Sequence, residues 1–265
     1  MHAALINADN QKWYNYEVEG GMTVSKNGET INCIDDVLTM LDSLLKEQSK
    51  FNWDAFYSER ERPVPFFVNA PDENLVHYFK NNLLSSAGKI LELGCGPGRN
   101  AIYFAKQGFE VDAVDLSKEA LQWGSERAKE QNVCIHFMYK NIFELEIIDS
   151  DYDVIYDSGC FHHIAPHRRI DYVSLIQRAL KPGGYFGLTC FVENGPLGGS
   201  DISDWEVYRQ RSLKGGLGYT PEKLETIFKD LQVIEIRKMK DIEQPNECFG
   251  SSGLWTALFQ KKNVN

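Results

Sequence analysis

From Lys89 onward, short apolar runs alternate with stretches in which apolar residues recur every three or four positions. Short apolar runs between turn signals are typical of buried strands, and the three-to-four spacing is typical of helices. The pattern predicts strands at 89–94, 109–114, 133–139, 152–157, 184–191, 232–240 and 253–261. It predicts helices near 98–107, 117–131, 167–180 and 221–229. Ser117 and Thr220 stand at N-cap positions. The alternation predicts an α/β fold with a doubly wound parallel sheet, which binds ligands at the carboxyl ends of its strands.

Three regions follow from this pattern. Residues 1–50 predict an N-terminal extension, with a hairpin around Asn27-Gly28 and then an amphipathic helix. Its apolar stripe consists of Ile34, Val37, Leu38, Leu41, Leu44 and Leu45. Residues 51–88 are rich in aromatic residues and proline and predict a lid segment and a leading helix. Residues 89–265 form the predicted core, which a glycine-rich insertion at 192–219 interrupts.

Aromatic residues are concentrated in the segments that depart from the alternating core. They are Trp53, Phe56, Tyr57, Phe66 and Phe67 before the core, and Trp205 and Tyr208 in the insertion. Such side chains can close an apolar pocket over a small ligand. The alternative, that they only pack these segments onto the sheet, stays open.

Charge and cysteine usage narrow the class of protein. The net charge of −10 and the pI near 5.1 argue against nucleic acid as a partner, and 167–169 (His-Arg-Arg) is the one hint of a basic patch. Six cysteines without paired C-x-x-C spacing indicate reduced thiols. The first twenty residues do not resemble a signal peptide, and no apolar run reaches the roughly 18 residues that span a membrane. We expect a cytoplasmic protein with no membrane partner.

A glycine-rich turn, Gly94-Cys95-Gly96-Pro97-Gly98, follows the first predicted core strand and opens a helix. Glycine permits a sharp turn and lets a ligand approach the backbone closely. The third glycine comes one residue too early for the dinucleotide fingerprint G-x-G-x-x-G. Glu92 precedes the turn, and a carboxylate there is a poor neighbour for a pyrophosphate but a good one for a cation. The turn therefore favours a nucleoside that carries positive charge over a dinucleotide.

The second core strand ends on Asp115, about twenty residues after the glycine turn. An acid at this distance can accept hydrogen bonds from both hydroxyls of a ribose. The alternative is that Glu92 and Asp115 are solvated strand ends beside a plain turn. The combination of turn and acid makes that alternative the weaker one.

Five segments in a fixed order resemble the class I S-adenosylmethionine (SAM)-dependent methyltransferases. "LELGCGPG" resembles their first motif, "DAVDLS" the second-strand acid and "YKNIFEL" the adenine-contacting motif. "YDVIYDSGCFHHI" is similar to the fourth-strand motif and "LKPGGYFGLTCF" to that of strand five. The resemblance covers about residues 70–261. Within the family, "GRNAIYFAKQGFEVDAVD" most resembles the tellurite-resistance and thiol (thiopurine-like) methyltransferase branches.

The resemblance implies SAM as cofactor and S-adenosylhomocysteine as its product. It implies a Rossmann-like sheet of seven strands whose last strand, 253–261, runs antiparallel. The cofactor-binding residues that it indicates are Glu92, Gly94, Cys95, Gly96, Gly98, Asp115, Leu116, Asn141, Ile142 and Asp157. Asn141 stands where many members have aspartate. Asp157 ends the fourth strand, where it would face the methionine moiety or, alternatively, cap the following loop.

The loop after the fourth strand contains the candidate catalytic residues, His163 and His162. An imidazole can act as a general base near neutral pH, whereas the alternative is that each histidine is packed or bonded within the loop. Cys160 and His167 extend the group toward a zinc site. Pro166 disturbs the helical spacing of His163 and His167, and no distant partner motif appears. We therefore expect no metal.

These observations predict a SAM-dependent methyltransferase that acts on a small molecule. The chain has no Asn-Pro-Pro-Tyr-like tetrad after the fourth strand, which enzymes of this fold that methylate nucleic-acid amines often carry. A thiol or other chalcogen acceptor is favoured, then a hydroxyl or an amine. A non-catalytic SAM-binding protein and an NAD-dependent oxidoreductase are the alternatives, and a metal-dependent O-methyltransferase is disfavoured because no acidic cluster suits Mg²⁺.

Overall fold

The computed structural model describes residues 30–46, 51–84, 87–243 and 247–263. Within these ranges, the strands are β1 (Gly88–Leu93), β2 (Phe109–Asp115), β3 (His136–Tyr139), β4 (Tyr152–Ser158), β5 (Leu180–Phe191), β6 (Gln232–Lys238) and β7 (Leu254–Gln260). The helices are α1 (Ile34–Lys46), α2 (Trp53–Ser58), α3 (Glu73–Lys80), α4 (Arg99–Lys106), α5 (Lys118–Glu130), α6 (Arg169–Ala179), α7 (Asp204–Arg209) and α8 (Pro221–Ile227). The hairpin predicted around Asn27-Gly28 lies outside the described residues.

The strands form one sheet in the order β3-β2-β1-β4-β5-β7-β6. All neighbouring pairs are parallel except those of β7, which is antiparallel to both β5 and β6. The predicted doubly wound α/β sheet with an antiparallel last strand is therefore confirmed. The strand order reverses between β1 and β4, and ligands of such sheets bind at the carboxyl ends beside this reversal.

Two helix starts confirm the predicted N-caps. The Ser117 hydroxyl accepts a hydrogen bond from the N–H of Ala120, and Thr220 accepts one from Lys223. Strand β3 begins three residues later than predicted. The reason is the end of α5, where Asn132 is left-handed (φ 54°) and the N–H of the next residue bonds back to the Ala128 carbonyl.

The core lies on both faces of the sheet. Because successive side chains of a strand point to opposite faces, Ile90 and Val154 pack with residues of α3 and α4, whereas Leu91 and Ile155 pack with residues of α6 and α8. All four are fully buried. Each such side chain contributes roughly 1.5–3 kcal/mol relative to exposure. The sheet is thus a rigid base for the groups at its edge.

The segment that precedes the sheet is anchored on α5. Asp54 of α2 accepts hydrogen bonds from the Ser117 hydroxyl at 2.7 Å and from the N–H of Glu119 at 3.3 Å. Arg60, just beyond α2, forms an ion pair with Glu126. These contacts hold residues 51–68 over the carboxyl edge of the sheet. We call residues 51–68 the lid segment.

Helix α1, which the apolar stripe at 34–45 predicts, is fixed by Asp42. The Asp42 carboxylate lies 2.8 Å from His167 Nε2 and 2.6 Å from Arg168 Nη2. Although burial raises the pKa of Asp42, these hydrogen bonds hold it below its ordinary value. Arg169 pairs with Asp204, so the predicted basic patch is engaged with acids. No helix in the described ranges is both long and apolar enough to cross a bilayer.

Candidate functional site

A cavity of about 350 Å³ opens at the carboxyl ends of β1, β2, β4 and β5, under the lid segment. The fold therefore places it at the edge where ligands of open α/β sheets bind. The predicted site residues that line it are Glu92, Gly94, Cys95, Gly96, Asp115, Leu116, Ile142, His162 and His163. Residues far apart in the sequence are thus brought to one cavity.

The turn after β1 needs glycine at two positions for different reasons. Gly94 (φ 66°) and Gly96 (φ 52°) are both left-handed. A Cβ at Gly94 would lie 2.6 Å from the Cβ of Cys160, and a Cβ at Gly96 would lie 3.0 Å from the Tyr57 hydroxyl. The first glycine lets the loop after β1 contact the loop after β4, and the second lets the lid segment approach the glycine turn.

Asp115 connects the end of β2 to this turn. Its carboxylate accepts hydrogen bonds from the N–H of Gly96 and from the N–H of Ser117, both at 2.8 Å. Burial raises the pKa of Asp115 to about 6, although these backbone hydrogen bonds oppose the increase. A carboxylate oxygen accepts more than one hydrogen bond, so capacity remains for hydroxyl donors from a ligand.

Glu92 is a buried acid at the base of the cavity. Its side chain is 2% exposed, and its Oε2 atom has no hydrogen-bond partner among the described residues. Burial raises the pKa of Glu92 to about 8, with Asp72 adding to the increase and Arg99 opposing it. A buried acceptor without a partner is costly, and a cationic donor would satisfy it.

The stability of the ligand-free chain should fall with pH because of Glu92. In the unfolded chain this carboxyl ionises near 4.5, but in the folded chain only near 8. The neutral carboxyl therefore makes its full contribution to the free energy of unfolding below pH 4.5, and this contribution is lost as the pH rises through 8. In Glu92→Gln this loss disappears, so Tm(variant) minus Tm(wild type) should grow by roughly 4 °C or more from pH 5 to 8.5. Thermal unfolding monitored by circular dichroism measures it. Glu110→Gln, at an exposed position of β2, is the control, and parallel Tm curves for Glu92→Gln and wild type would contradict the assignment.

An ion pair that the sequence patterns did not indicate lies beneath the glycine turn. Arg99 Nη1 is 2.6 Å from Asp72 Oδ1, and both side chains are buried. The other oxygen of Asp72 accepts hydrogen bonds from Tyr156 and Asn100. Arg99 also donates to the Ser158 hydroxyl at 3.1 Å. The network joins the residue before α3, the start of α4 and the end of β4.

One sequence signal could have indicated this pair. Arg99 is the first residue of α4, where the helix dipole disfavours a cation. A basic residue at that position needs an acid nearby to offset the repulsion. The identity of that acid, Asp72, depends on the tertiary fold and has no local signature.

His162 and His163 line the cavity on its β4–β5 side, whereas the two acids stand at the ends of β1 and β2. The ring of His162 lies flat on Phe191, with the ring centroids 3.6 Å apart. Burial, followed by the neighbouring His163, lowers the pKa of His162 well below its ordinary value, so this imidazole is neutral. Its Nδ1 atom has no hydrogen-bond partner among the described residues. His163 packs edge-on against Trp53 of the lid segment.

Three predicted cofactor residues do not line the cavity. The Asp157 carboxylate is fully buried, where it accepts hydrogen bonds from the Tyr172 hydroxyl at 2.6 Å and the N–H of Cys160 at 2.9 Å. Burial raises the pKa of Asp157 to about 7. Asn141 caps the short turn that follows it, and Gly98 packs close to an aromatic ring of β3. Their role as cofactor ligands stays a prediction.

The structure divides the aromatic residues singled out in the sequence into two groups. Trp53, Phe56, Tyr57 and Phe66 line the cavity, whereas Phe67 packs behind them. Trp205 is 76% exposed, and the Tyr208 hydroxyl bonds to His167. The insertion contributes Leu197 to the cavity wall instead. Helix α7 directs its two aromatic residues toward solvent and toward α1.

The histidines near Cys160 serve different purposes. His167 bonds to Asp42 and Tyr208, away from the cavity. Burial raises the pKa of Cys160 far above its ordinary value, which makes this thiol a poor nucleophile. Over the described ranges, no three His, Cys, Asp or Glu side chains are grouped so that they could hold a metal ion.

The cavity has the features of a site for a positively charged nucleoside. The glycine turn gives a close backbone approach, and Asp115 lies where ribose hydroxyls can be bound. The buried acceptor of Glu92 fits a cationic donor. A pyrophosphate would instead face two carboxylates, so the charge of the cavity does not fit a dinucleotide.

Comparison with protein families agrees with this interpretation of the cavity. Residues 90–184 match the family model described as a methyltransferase domain. The chain is also similar to the ubiquinone biosynthesis O-methyltransferase of Rickettsia akari, with 31% identity over 147 residues. That alignment covers 52% of this chain and 57% of the relative.

Solved structures share the fold at low sequence identity. A protein studied for the conversion of a disulfide bond into a thioacetal group during echinomycin biosynthesis has a TM-score of 0.59 at 20% identity, covering 80% of this chain and 93% of that one. The 1,6-didemethyltoxoflavin-N1-methyltransferase of Burkholderia thailandensis has a TM-score of 0.58 at 19% identity. The match covers 88% of this chain and 92% of that one, whose structure contains S-adenosylhomocysteine.

Proposed function

We propose that this chain is a class I SAM-dependent methyltransferase that transfers the methyl group of SAM to a small molecule. A thiol or other chalcogen is the favoured acceptor, ahead of a hydroxyl or an amine. The observation that carries the proposal is the cavity itself, which joins two acids suited to SAM with two imidazoles on its β4–β5 side.

The acids and the glycine turn would hold the cofactor. SAM, when bound, supplies an electrophilic methyl group on a positively charged sulfur. Asp115 would accept hydrogen bonds from the ribose hydroxyls, and Glu92 would accept one from the α-ammonium group. The lid segment covers the cavity, and exclusion of water from it would strengthen these interactions. Holding both reactants in register can remove several kcal/mol of barrier, about 7–11 in ideal cases.

The imidazoles favour an acceptor that releases its proton easily. Because burial keeps the pKa of His162 well below its usual value, this side chain is neutral but a weak base. A thiol ionises near pH 8.5, whereas an aliphatic hydroxyl holds its proton far more tightly. A weak base is sufficient for the first and inadequate for the second. Sulfur is therefore favoured over oxygen.

The relatives themselves are named for different acceptor atoms. The Rickettsia relative is an O-methyltransferase, the Burkholderia enzyme an N1-methyltransferase, and the echinomycin study concerns chemistry at sulfur. The preference for sulfur therefore depends on the imidazoles of this chain. Its membership of the tellurite-resistance or thiol branch is part of the same proposal.

Two measurements on the purified chain test the function. Calorimetric titration should show binding of SAM and S-adenosylhomocysteine and none of NADH. Radiolabelled methyl groups should then pass from SAM to aromatic and aliphatic thiols faster than to the matching alcohols and amines. His163→Ala and His162→Ala should lower kcat by at least tenfold, as expected for a general base, without changing the Kd for SAM.

The remaining outcomes separate the alternatives. Binding of SAM without transfer to any acceptor would indicate a SAM-sensing protein. Binding of NADH alone would indicate an oxidoreductase and would contradict the interpretation of the glycine turn. Faster transfer to alcohols than to thiols would contradict the preference for sulfur.

A further inference from the structure

We infer that the acceptor is an uncharged molecule with a planar ring, held by stacking against a continuous belt of aromatic side chains. The inference rests on the proposed function and names the class of substrate that the same cavity takes. It is carried by the arrangement of the rings and by the position of every charged group in the described cavity wall.

The rings at the acceptor end of the cavity follow one another without a break. We call them the aromatic belt, which consists of Phe191, His162, His163, Trp53, Phe56 and Phe66. Successive ring centroids lie 3.6, 4.3, 5.3, 5.8 and 6.2 Å apart. Phe66, at the far end of the belt, packs against the apolar cluster that contains Phe191, Met239, Phe249 and Leu254. Such a surface presents ring faces and ring edges to its occupant.

The charged side chains of the described cavity wall lie outside the belt. Glu92 and Asp115 stand at the ends of β1 and β2, at the cofactor end. Arg99 is paired with Asp72 at 2.6 Å, and its guanidinium is covered by the ring of Phe249 at 4.7 Å. Lys140 is exposed beyond the end of β3. The guanidinium of Arg62 lies 5.3 Å from the centroid of the Phe56 ring, but it is paired with Glu59 and does not line the cavity. Within the described residues, the cavity wall at the belt therefore offers no unpaired counter-ion.

This distribution discriminates between classes of acceptor. Of the two branches named in the proposed function, the belt favours the thiol branch. An oxyanion such as tellurite, or a carboxylate-bearing thiol, would lose its hydration at the belt without gaining a partner of opposite charge. Aromatic faces can attract an ammonium group. A protonated amine, however, has no lone pair with which to attack a methyl group, and it would also face the positive charge of SAM.

A neutral planar ring meets neither obstacle. It gains stacked and edge-on contacts, which contribute beyond the area that they bury. The unpartnered Nδ1 atom of His162 adds one polar contact, which can orient the reacting group of the ring toward the cofactor. The belt thus selects for ring shape and neutrality, and the imidazole selects for orientation.

Three matched ligands test the inference by binding, independently of turnover. They are 4-methylbenzenethiol, 4-mercaptobenzoate, which adds a charge, and 4-methylcyclohexanethiol, which is not planar. Each is titrated calorimetrically at about pH 5.5, where the thiol of 4-methylbenzenethiol is mostly protonated and the carboxyl of 4-mercaptobenzoate is ionised, into the chain saturated with S-adenosylhomocysteine. We expect the Kd of 4-methylbenzenethiol to be at least tenfold lower than that of either other ligand. Equal or tighter binding of the charged or the non-planar ligand would overturn the inference.

The same ligands separate this inference from the proposed function. If 4-methylbenzenethiol binds selectively but is not methylated by SAM, the belt is supported and the proposed function fails. If all three thiols are methylated with similar kcat/KM, the function is supported and the belt fails.

Leucine variants show whether ring stacking is the source of the selectivity. Phe191→Leu and Phe66→Leu keep an apolar side chain but remove one ring each. We expect each to raise the Kd of 4-methylbenzenethiol at least fivefold and to leave that of 4-methylcyclohexanethiol unchanged. Trp205→Leu, at an exposed position outside the cavity, is the control and should change neither value. Unchanged binding of the aromatic ligand in both leucine variants would contradict stacking, provided that their affinity for SAM shows intact folding.

Discussion

Replacing Arg99 with methionine is expected to destabilise the folded chain by about 3–5 kcal/mol. The guanidinium is the cationic partner of Asp72, which is fully buried. Without it, the remaining hydrogen bonds from Tyr156 and Asn100 do not offset the burial of a negative charge. Unfolding in urea, followed by far-ultraviolet circular dichroism, gives the free energy of unfolding directly.

A second substitution provides the matched control for this experiment. Asp72→Asn combined with Arg99→Met removes both charges and should recover at least half of the lost stability. Arg99→Lys should fall between wild type and Arg99→Met, because one ammonium cannot reach Asp72, Ser158 and the Ala70 carbonyl in the geometry of a guanidinium. A loss below about 1 kcal/mol in Arg99→Met would show that the pair is effectively solvated and would contradict the buried network.

Asp115→Ala is expected to raise the Kd for SAM about a hundredfold or more. Two ribose hydroxyls would lose a charged acceptor, at about 1.5 kcal/mol or more each, and 1.4 kcal/mol corresponds to a factor of ten. The substitution also releases the N–H groups of Gly96 and Ser117, which loosens the turn. Calorimetric titration with SAM and S-adenosylhomocysteine measures both affinities.

Two comparisons make the Asp115 result specific. Glu110→Ala removes an exposed acid from the same strand and should leave both affinities within twofold of wild type. S-adenosylhomocysteine lacks the positive sulfur but keeps the ribose, so its affinity should fall by a similar factor. A large loss for SAM alone would indicate that Asp115 acts through charge and not through the ribose.

The fold could be predicted from the sequence because its signals are local. Apolar periodicity places the strands, and N-cap residues such as Ser117 place helix starts within one or two positions. The glycine turn and Asp115 were also predictable, since close backbone approach needs glycine and the acid follows at a fixed distance along the chain. Each of these features is specified by residues within one β-α unit.

The rest of the site depends on contacts that the sequence does not encode locally. Asp72 and Arg99 are 27 positions apart, and only packing of the segment before α3 on α4 brings them together. From the sequence, Trp205 could either close the pocket or only pack the insertion onto the sheet. Whether Trp205 reaches the cavity depends on the direction of the short helix α7, which the composition of the insertion does not specify. Asp157 could bind a ligand or cap a loop, and only its hydrogen bonds from the N–H groups of Cys160 and Phe161 reveal the second arrangement.

The anatomy of the cavity has a consequence for directed evolution of this enzyme. The aromatic belt comes from the lid segment, the turn at 161–163 and the end of β5, whereas Glu92, the glycine turn and Asp115 lie within 92–115. On the proposed function, acceptor range and this part of cofactor affinity are therefore encoded in separate stretches of the gene. A combinatorial library confined to belt positions, with Asp54 kept as the anchor of the lid, can retarget the enzyme without rebuilding its cofactor site.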